Sequence, residues 1–436
     1  MTGLRQALVA ALLCGCAAPA QPAHDLSPAA APVVRVPRVE RTEPAVVDAG
    51  ANAAVAPVRA PAPQALFNGV ALARFFSSLA AQEGGTATDD TRILQLGDSH
   101  TAADWYTGRV RSLLQARFRD GGRGLVSVGK PWKGYLQDGV KVGMSREWAP
   151  VHARLVHQRL VGDGHYGLSG VAVTSEGRGT GSAWVDAGES DHVELAFLGQ
   201  PQGGTLDVVV NGNAVGRVKA KNERMTTRFF GFEPGPGAHA VEVRSQGKAR
   251  IFGAAFDKKS KGLVLDAVGR DGARAAALLQ LDEAHFSALL RWRNPALVIL
   301  AYGTNECGDK DVSQEAYERT LVDVLGRVTR AVPGAACLLL GPPDYVQHGP
   351  EGPVPHPRLA EIIAVQRAVA GAARCAFYDQ QAAMGGPAAI AAWAAEDPPR
   401  ARKDGVHLSR EGYGALGAQF VDELVRAYGE YRITAP

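Results

Sequence analysis

Two patterns of apolar and polar residues alternate along this chain, and each predicts a different kind of structure. From residue 66 to about 129, and again from 262 onwards, short apolar runs alternate with segments whose apolar residues recur at helical spacing. This alternation indicates a parallel sheet covered by helices on both faces. The predicted strands are 91–96, 263–268, 296–301, 335–340 and 375–378. The predicted helices are 66–79, 101–118, 274–292, 314–332, 359–371 and 412–428.

Residues 130–261 follow the second pattern, in which apolar and polar residues alternate every second position in short runs. The runs are separated by Gly, Asn and Pro, and Val210-Asn211-Gly212-Asn213 has the composition of a hairpin turn. Such segments are typical of an antiparallel β-sandwich. We therefore predict one α/β domain, at 66–129 and 262–436, interrupted by an inserted sandwich at 130–261.

The first 65 residues show neither pattern. Residues 7–13 are apolar and follow Arg5, and Leu13-Cys14-Gly15-Cys16 comes next. This is typical of a secretory signal at 1–16 and resembles a bacterial lipobox, with Cys16 as the lipidated residue; a plain signal with two incidental cysteines is the alternative. Residues 17–65 are rich in Ala and Pro and predict a disordered linker. We expect an exported, periplasmic or cell-envelope lipoprotein anchored by lipid in a membrane, the outer membrane being the expected one.

Composition and charge exclude several classes of function. The chain has 436 residues and a net charge of +3, with no block of Lys and Arg, which argues against nucleic acid as a partner. Zinc-binding, phosphate-loop and dinucleotide motifs are absent from the sequence, so neither a metal nor a cofactor is expected. Nothing in the sequence implies a protein partner.

Three cysteines follow Cys16, namely Cys307, Cys337 and Cys375. An odd number in an exported protein leaves at least one free thiol or an intermolecular pair. Cys337 and Cys375 each begin a predicted strand, and they can pair if those strands are neighbours; three buried free thiols are the alternative.

Four polar or glycine-rich turns carry the candidate chemistry. Three of them follow predicted strands and the fourth precedes the last helix, so all four can meet at the carboxyl edge of the sheet, where ligands bind in such folds. The turns are Gly97-Asp98-Ser99, Gly269-Arg270-Asp271-Gly272, Gly303-Thr304-Asn305-Glu306 and Asp404-Gly405-Val406-His407. Together they supply a hydroxyl, an imidazole and a carboxylate, the groups of a serine nucleophile with its base and orienting acid.

These four blocks, in this order, resemble those of the SGNH (GDSL-type) hydrolase family over about residues 91–129 and 262–428. The resemblance implies a three-layer α/β fold with Ser99 as nucleophile, His407 as base and Asp404 as its orienting carboxylate. It also implies an oxyanion hole formed by the backbone N–H groups of Ser99 and Gly272 and the side-chain amide of Asn305. Taken alone, Asp404 and His407 could be a helix cap and a surface imidazole.

Two further residues narrow the resemblance. His100 directly follows Ser99 and Asp104 lies five residues after it; with the β-rich insert, this is similar to peptidoglycan O-acetylesterases of Gram-negative envelopes. That similarity implies a serine esterase that removes O-acetyl groups from cell-wall glycan through an acyl-Ser99 intermediate. It also implies that the insert is a jelly-roll that resembles a carbohydrate-binding module. His100 and Asp104 are expected to contact the substrate, or His100 to bond locally with Asp104.

Three alternatives stay open at this point. The same acyl-Ser99 can serve an O-acetyltransferase, or an esterase acting on another envelope or plant polysaccharide. The chain can also be a non-catalytic glycan-binding envelope protein. Five aromatic residues in or beside the insert could stack on sugars or fill its core. They are Trp132, Tyr135, Trp148, Tyr166 and Trp184.

Overall fold

A computed structural model describes residues 64–156 and 159–434. The predicted signal, Cys16 and nearly all of the predicted linker lie outside the described residues. Among the described residues, no helix combines the length and the apolar composition that crossing a bilayer requires.

The described chain contains 21 strands and nine α-helices. The strands are β1 Leu66–Phe67, β2 Thr91–Gly97, β3 Gly122–Val126, β4 Lys141–Met144, β5 Trp148–His152, β6 Arg154–Val156, β7 Arg159–Val161, β8 Val171–Glu176, β9 Gly181–Glu189, β10 His192–Gly199, β11 Thr205–Val210, β12 Asn213–Lys219, β13 Thr226–Phe232, β14 Ala238–Gln246, β15 Lys248–Asp257, β16 Leu263–Gly269, β17 Leu297–Ala301, β18 Ala336–Leu340, β19 Val346–Gly349, β20 Gly352–Pro355 and β21 Ala376–Tyr378. The helices are α1 Ala73–Glu83, α2 Ser99–Ala102, α3 Trp105–Phe118, α4 Glu283–Arg293, α5 Gln314–Ala331, α6 Leu359–Ala372, α7 Gln380–Met384, α8 Ala389–Ala394 and α9 Arg410–Thr434. Short 3₁₀ helices lie at Gly69–Leu72, Ala275–Gln280 and Glu306–Gly308.

The central sheet has the strand order β1-β21-β18-β17-β2-β16. All neighbours pair in parallel except β1, which is antiparallel to β21, so the sheet is mixed. Leu94 of β2 belongs to the apolar cluster shared with α4, α5 and α6, while its neighbour Ile93 belongs to the cluster shared with α1, α3 and α9. Successive side chains of a strand thus face opposite helix layers, and the predicted three-layer α/β architecture is confirmed.

Three predicted helices begin differently from expectation. The prediction of helix 274–292 is wrong at its start, because Ala275–Gln280 is a 3₁₀ helix and α4 begins only at Glu283. The prediction of helix 66–79 is also wrong at its start, because Leu66 and Phe67 pair with Tyr378 and Phe377, and α1 begins only at Ala73. Helix 101–118 is divided, because Asp104 adopts a left-handed backbone conformation with φ 56° between α2 and α3. The departures in helices 66–79 and 101–118 depend on contacts with distant residues, which helical spacing does not record.

Two antiparallel sheets account for most of residues 130–261. One has the order β13-β10-β15-β8-β5 with β3 beside β15, and the other has the order β12-β11-β14-β9-β4. One buried apolar cluster contains residues of both sheets, such as Leu195 and Ile251 from the first and Val185 and Val208 from the second. Because β3 ends at Val126, this sheet system already begins before residue 130.

A buried ion pair links the central sheet to the antiparallel sheets. Arg293, at the end of α4, donates to Asp266 of β16 at 2.8 Å and to Asp257 of β15 at 3.1 Å. Asp266 also accepts a hydrogen bond from the backbone N–H of Leu125 in β3 at 2.6 Å. Burial alone disfavours the charged guanidinium, but the two carboxylates outweigh it and raise the pKa of Arg293 above its ordinary value.

The structure shows which of the three cysteines after Cys16 are paired. Cys337 and Cys375 form a disulfide, with their Cα atoms 4.9 Å apart, and β18 lies beside β21 in the sheet. Cys307 is a buried free thiol.

We expect the double variant Cys337→Ala/Cys375→Ala to lose about 3 kcal/mol of unfolding free energy, since the bond closes a loop of moderate length in the unfolded chain. The check is the thermal midpoint with and without reductant. Reductant should lower the midpoint of the wild type and leave that of the double variant unchanged. An unchanged wild-type midpoint, with Cys337 and Cys375 shown to be reduced, would contradict the prediction.

Candidate active site

Ser99 lies at the point where β2 ends and α2 begins. The turn is tight: a Cβ atom on Gly97 would lie 2.2 Å from the Thr101 hydroxyl oxygen and 2.8 Å from the Ala301 carbonyl oxygen. The side chain of Asp98 caps α2 by accepting from the backbone N–H of His100 at 3.0 Å. Gly97 and Asp98 thus place Ser99, which is half-buried, at the carboxyl edge of the sheet.

The structure brings Ser99, His407 and Asp404 into one hydrogen-bonded chain. The Ser99 hydroxyl oxygen is 3.1 Å from His407 Nε2, and His407 Nδ1 is 2.9 Å from Asp404 Oδ2. If Nδ1 carries the proton and donates it to the carboxylate, Nε2 is free to accept the hydroxyl proton. Asp404 and His407 are therefore more than a helix cap with a surface imidazole.

Backbone groups hold the Asp404 carboxylate in place. Its Oδ1 accepts from the backbone N–H groups of Val406 and His407, each at 2.9 Å. Partial burial by itself would raise the pKa of Asp404, but these bonds and the His407 imidazole outweigh it and lower that pKa. The carboxylate therefore stays ionised while it orients the imidazole.

The predicted oxyanion residues share a groove with this chain of hydrogen bonds. The groove has a volume of about 520 Å³, and its lining includes Ser99, His407, Gly272 and Asn305. Gly272 has φ +71°, a conformation that side chains rarely adopt. The Asn305 amide donates to the Ala273 carbonyl at 2.9 Å, and its second N–H is free to serve an oxyanion.

The buried Glu306 side chain fixes the turn that contains Asn305. The sequence did not reveal this positioning role. Its carboxylate accepts from the backbone N–H groups of Ala275 at 2.9 Å and Gly303 at 3.0 Å. Burial raises the pKa of Glu306, although those bonds oppose the shift. The side chain thereby ties the turn after β17 to the segment after β16, where Gly272 lies.

Asp104 does not reach the groove, and the expectation that it contacts substrate is wrong. Its side chain is fully buried, and its carboxylate accepts from Arg111 and Arg123, each at 2.8 Å, and from the backbone N–H of Asp138 at 3.1 Å. Burial would raise the pKa of Asp104, but the two guanidinium groups lower it overall. Asp104 therefore ties α3 to the segment around Asp138.

His100 is also buried, and it lies beside His407 without lining the groove. Its Nδ1 is 2.8 Å from the Tyr413 hydroxyl, and its ring centre is 5.5 Å from that of His407. Burial, with a further contribution from the charge on His407, lowers the pKa of His100 to about 3, so it is neutral at working pH. The local bond to Asp104, which was the alternative, does not occur among the described contacts.

The aromatic residues of the insert separate into two groups. Trp148 and Tyr166 are buried and belong to the core, whereas Trp184 is 36% exposed. Trp132 and Tyr135 form an edge-to-face pair with ring centres 5.0 Å apart, on either side of Gly134, which lines the groove.

We expect Asp404→Asn to lower kcat for p-nitrophenyl acetate by about 10²-fold, because an amide can no longer hold the Nδ1-protonated tautomer of His407. The loss should be smaller than for a fully buried acid, since 44% of the Asp404 side chain is exposed and water can partly replace it. Asp138→Asn, whose side chain pairs with exposed Arg410, is the control and should keep wild-type kcat. Equal kcat for Asp404→Asn and the control would contradict this role.

Comparisons with known proteins indicate an esterase fold. A model of the GDSL-like lipase/acylhydrolase family matches residues 234–415, which include Gly272, Asn305, Asp404 and His407, while Ser99 precedes the match. A solved structure of a peptidoglycan O-acetylesterase superimposes with a TM-score of 0.71 at 26% identity, covering 84% of this chain and 99% of that chain. A family two carbohydrate esterase from Clostridium thermocellum gives a TM-score of only 0.28 at 10% identity, covering 59% of this chain and 94% of that chain. This similarity is too low to support a conclusion about the present chain. Comparison with curated protein sequences gives no match.

The chain is a carboxylic ester hydrolase whose fold and site resemble those of SGNH (GDSL-type) hydrolases. Its structure also resembles that of a peptidoglycan O-acetylesterase.

Proposed function

We propose that this protein is a serine esterase that removes O-acetyl groups from cell-wall glycan. The observation that carries the proposal is the Ser99–His407–Asp404 chain of hydrogen bonds opening into a groove lined by Gly272 and Asn305. The similarity to a peptidoglycan O-acetylesterase over 84% of the chain supports the choice of substrate.

The first half of the reaction acylates Ser99. His407 Nε2 takes the hydroxyl proton as Ser99 Oγ attacks the acetyl carbonyl carbon, which gives a tetrahedral oxyanion. Collapse of that intermediate breaks the ester bond to the sugar oxygen, and the imidazolium returns the proton to the departing hydroxyl. The products of this half are the deacetylated glycan and acetyl-Ser99.

The second half restores the enzyme with the same groups. His407 removes a proton from water as the water oxygen attacks the acetyl carbon. Collapse then breaks the bond to Ser99 Oγ, the imidazolium returns the proton to that oxygen, and acetic acid leaves and ionises to acetate. The backbone N–H groups of Ser99 and Gly272 and the Asn305 amide, which line the same groove, are proposed to stabilise the oxyanion in both halves. Each such donor typically contributes about 3 kcal/mol.

The antiparallel sheets are proposed to form a jelly-roll that resembles a carbohydrate-binding module and helps to hold the polymer. Gly134 and Leu136, in the segment that leads into these sheets, line the groove. The exposed face of Trp184 and the Trp132–Tyr135 pair offer rings for sugar stacking.

Export and lipid anchoring at Cys16 are likewise proposals, supported by the apolar leader and the Leu13-Cys14-Gly15-Cys16 run. The Cys337–Cys375 disulfide agrees with an oxidising compartment.

Acetate release from O-acetylated peptidoglycan, compared with release from acetylated xylan, tests the substrate. We expect faster release from peptidoglycan by the wild type and none by Ser99→Ala. Equal or faster release from xylan would overturn the cell-wall assignment, and acetylated sugar acceptors in place of free acetate would identify an acetyltransferase. Failure of a fluorophosphonate probe to label Ser99 would favour a non-catalytic glycan-binding protein.

A further inference from the structure

Arg402 differs from three arginines in the turns and loops near the active site. Arg274 pairs with Asp309 at 2.7 Å, Arg400 pairs with Glu396, and Arg410 pairs with Asp138 at 3.2 Å. Arg402 is exposed, and in the described part of the chain its guanidinium has no carboxylate or carbonyl partner. Its backbone N–H donates to the His407 carbonyl at 2.8 Å, which fixes its place in the loop beside the base.

The guanidinium of Arg402 is nevertheless held in place by an aromatic ring. Its central carbon lies 5.4 Å from the ring centre of Trp105, and that ring lies 6.0 Å from the ring of Tyr413. Trp105 is the first residue of α3 and is half-buried. An arginine that interacts with an indole loses little hydration and keeps its planar N–H groups available for a carboxylate.

Both residues line the groove that contains Ser99. Of the described residues that line it, Arg402 is the one lysine or arginine, and Asp271 is the other charged residue apart from the His407 imidazole. Esterolysis by Ser99, His407 and the oxyanion donors needs no further cation. An unpaired cation beside the nucleophile is therefore available for a part of the substrate that does not react.

We propose that Arg402 and Trp105 form a subsite for an acetylated sugar unit that bears a carboxylate. The carboxylate accepts two hydrogen bonds from Arg402, as is common for this pair, while the indole supplies an apolar contact for the sugar. The inference rests on the proposed glycan esterase function and makes it more specific. Two kinds of glycan contain sugar units with such a carboxylate. One has a lactyl ether carboxylate, as in muramic acid, and the other has a uronic acid.

The test compares matched charged and neutral substrates on the full-length protein. The first pair is an O-acetylated muramic acid fragment and the same fragment with its carboxylates amidated. The second pair is an O-acetylated uronic acid oligosaccharide and its amidated form. The measured quantity is the ratio of kcat/KM for the charged member to that for the neutral member of each pair.

We expect a wild-type ratio above about ten in at least one of the two pairs, since a charge-assisted hydrogen bond pair is typically worth at least one factor of ten. In that pair the ratio for Arg402→Gln should be near one. Arg402→Lys should recover part of the ratio, because it keeps the charge and loses the bidentate geometry. The control is Lys403→Gln, which removes the same charge from an exposed neighbour that does not line the groove. A wild-type preference confined to one pair identifies the source of the carboxylate.

Several results would overturn the subsite. The first is a wild-type ratio near one in both pairs. The second is that Lys403→Gln lowers the ratio as much as Arg402→Gln does. The third is that Arg402→Gln lowers kcat/KM equally for charged and neutral substrates. The last result would place Arg402 in the chemical step. None of these results would contradict the esterase proposal. That proposal fails if the wild type releases no acetate from any acetylated glycan.

Discussion

Ser99→Ala should lower kcat/KM for p-nitrophenyl acetate by at least about 10⁴-fold, equivalent to a barrier about 5 kcal/mol higher. Without the hydroxyl, His407 has no proton to accept and no acyl-enzyme can form. Any residual rate reflects water attack assisted by the oxyanion donors. Measurement requires initial rates and labelling by a fluorophosphonate, which should disappear in the variant.

The fold must be shown to survive this substitution. Ser99 is half-buried and its Oγ contacts the His407 imidazole, so its loss should leave the thermal midpoint close to that of the wild type. Ser112→Ala is the matched control, since Ser112 is an exposed serine of the neighbouring helix α3 that donates to the Arg109 carbonyl at 3.3 Å. A folded Ser99→Ala protein that keeps more than about a hundredth of the wild-type rate would remove Ser99 from the mechanism.

Arg293→Met should have the second largest effect, a loss of about 3–5 kcal/mol in unfolding free energy. The substitution leaves the fully buried Asp266 carboxylate without its counter-ion, at the joint between the central sheet and the antiparallel sheets. Such a charge is far more costly to bury alone than with its partner. Urea unfolding of the purified protein measures the loss.

Two comparisons make this stability prediction specific. Arg293→Met/Asp266→Asn should be more stable than Arg293→Met alone, because no lone charge is buried and the amide oxygen can still accept from Leu125. Arg330→Met removes an arginine that pairs with Glu283 at 2.9 Å, with both side chains more than half exposed, and should cost less than about 1 kcal/mol. The prediction would be wrong if Arg293→Met and Arg330→Met lost the same amount.

The sequence was sufficient for the main parallel strands and most of the longer helices, and for the polar turns that meet at the sheet edge. It did not predict the short elements β19, β20, α7 and α8. Buried parallel strands appear as continuous apolar runs, and the carboxyl ends of such strands share one edge, so Ser99, Gly272 and Asn305 could be placed together. The proximity of His407 followed from the Asp404-Gly405-Val406-His407 turn and from its resemblance to a known block. The roles of these residues in catalysis stay predictions until the variants are measured.

Three of the features that the sequence missed depend on pairs of distant residues. Leu66 and Phe67 have helical spacing, yet they pair with β21, which lies near the other end of the described chain. The left-handed turn at Asp104 is fixed by Arg111 and Arg123, and neither partner can be read from local composition. The contact of Arg402 with Trp105 likewise joins the loop before α9 to α3.

The strand that carries the nucleophile has both of its neighbours far along the chain. β2 lies between β16 and β17, with Leu94 opposite Asp266 on one side and Val298 on the other, and both partners follow the antiparallel sheets in sequence. Closing such long loops is slow, because the entropy is lost before the pairing is gained. As the chain emerges during synthesis, Ser99 must wait for those strands and then for His407. Ester hydrolysis should therefore be the last property to appear during folding, and a partly folded chain will not attack acetyl esters prematurely.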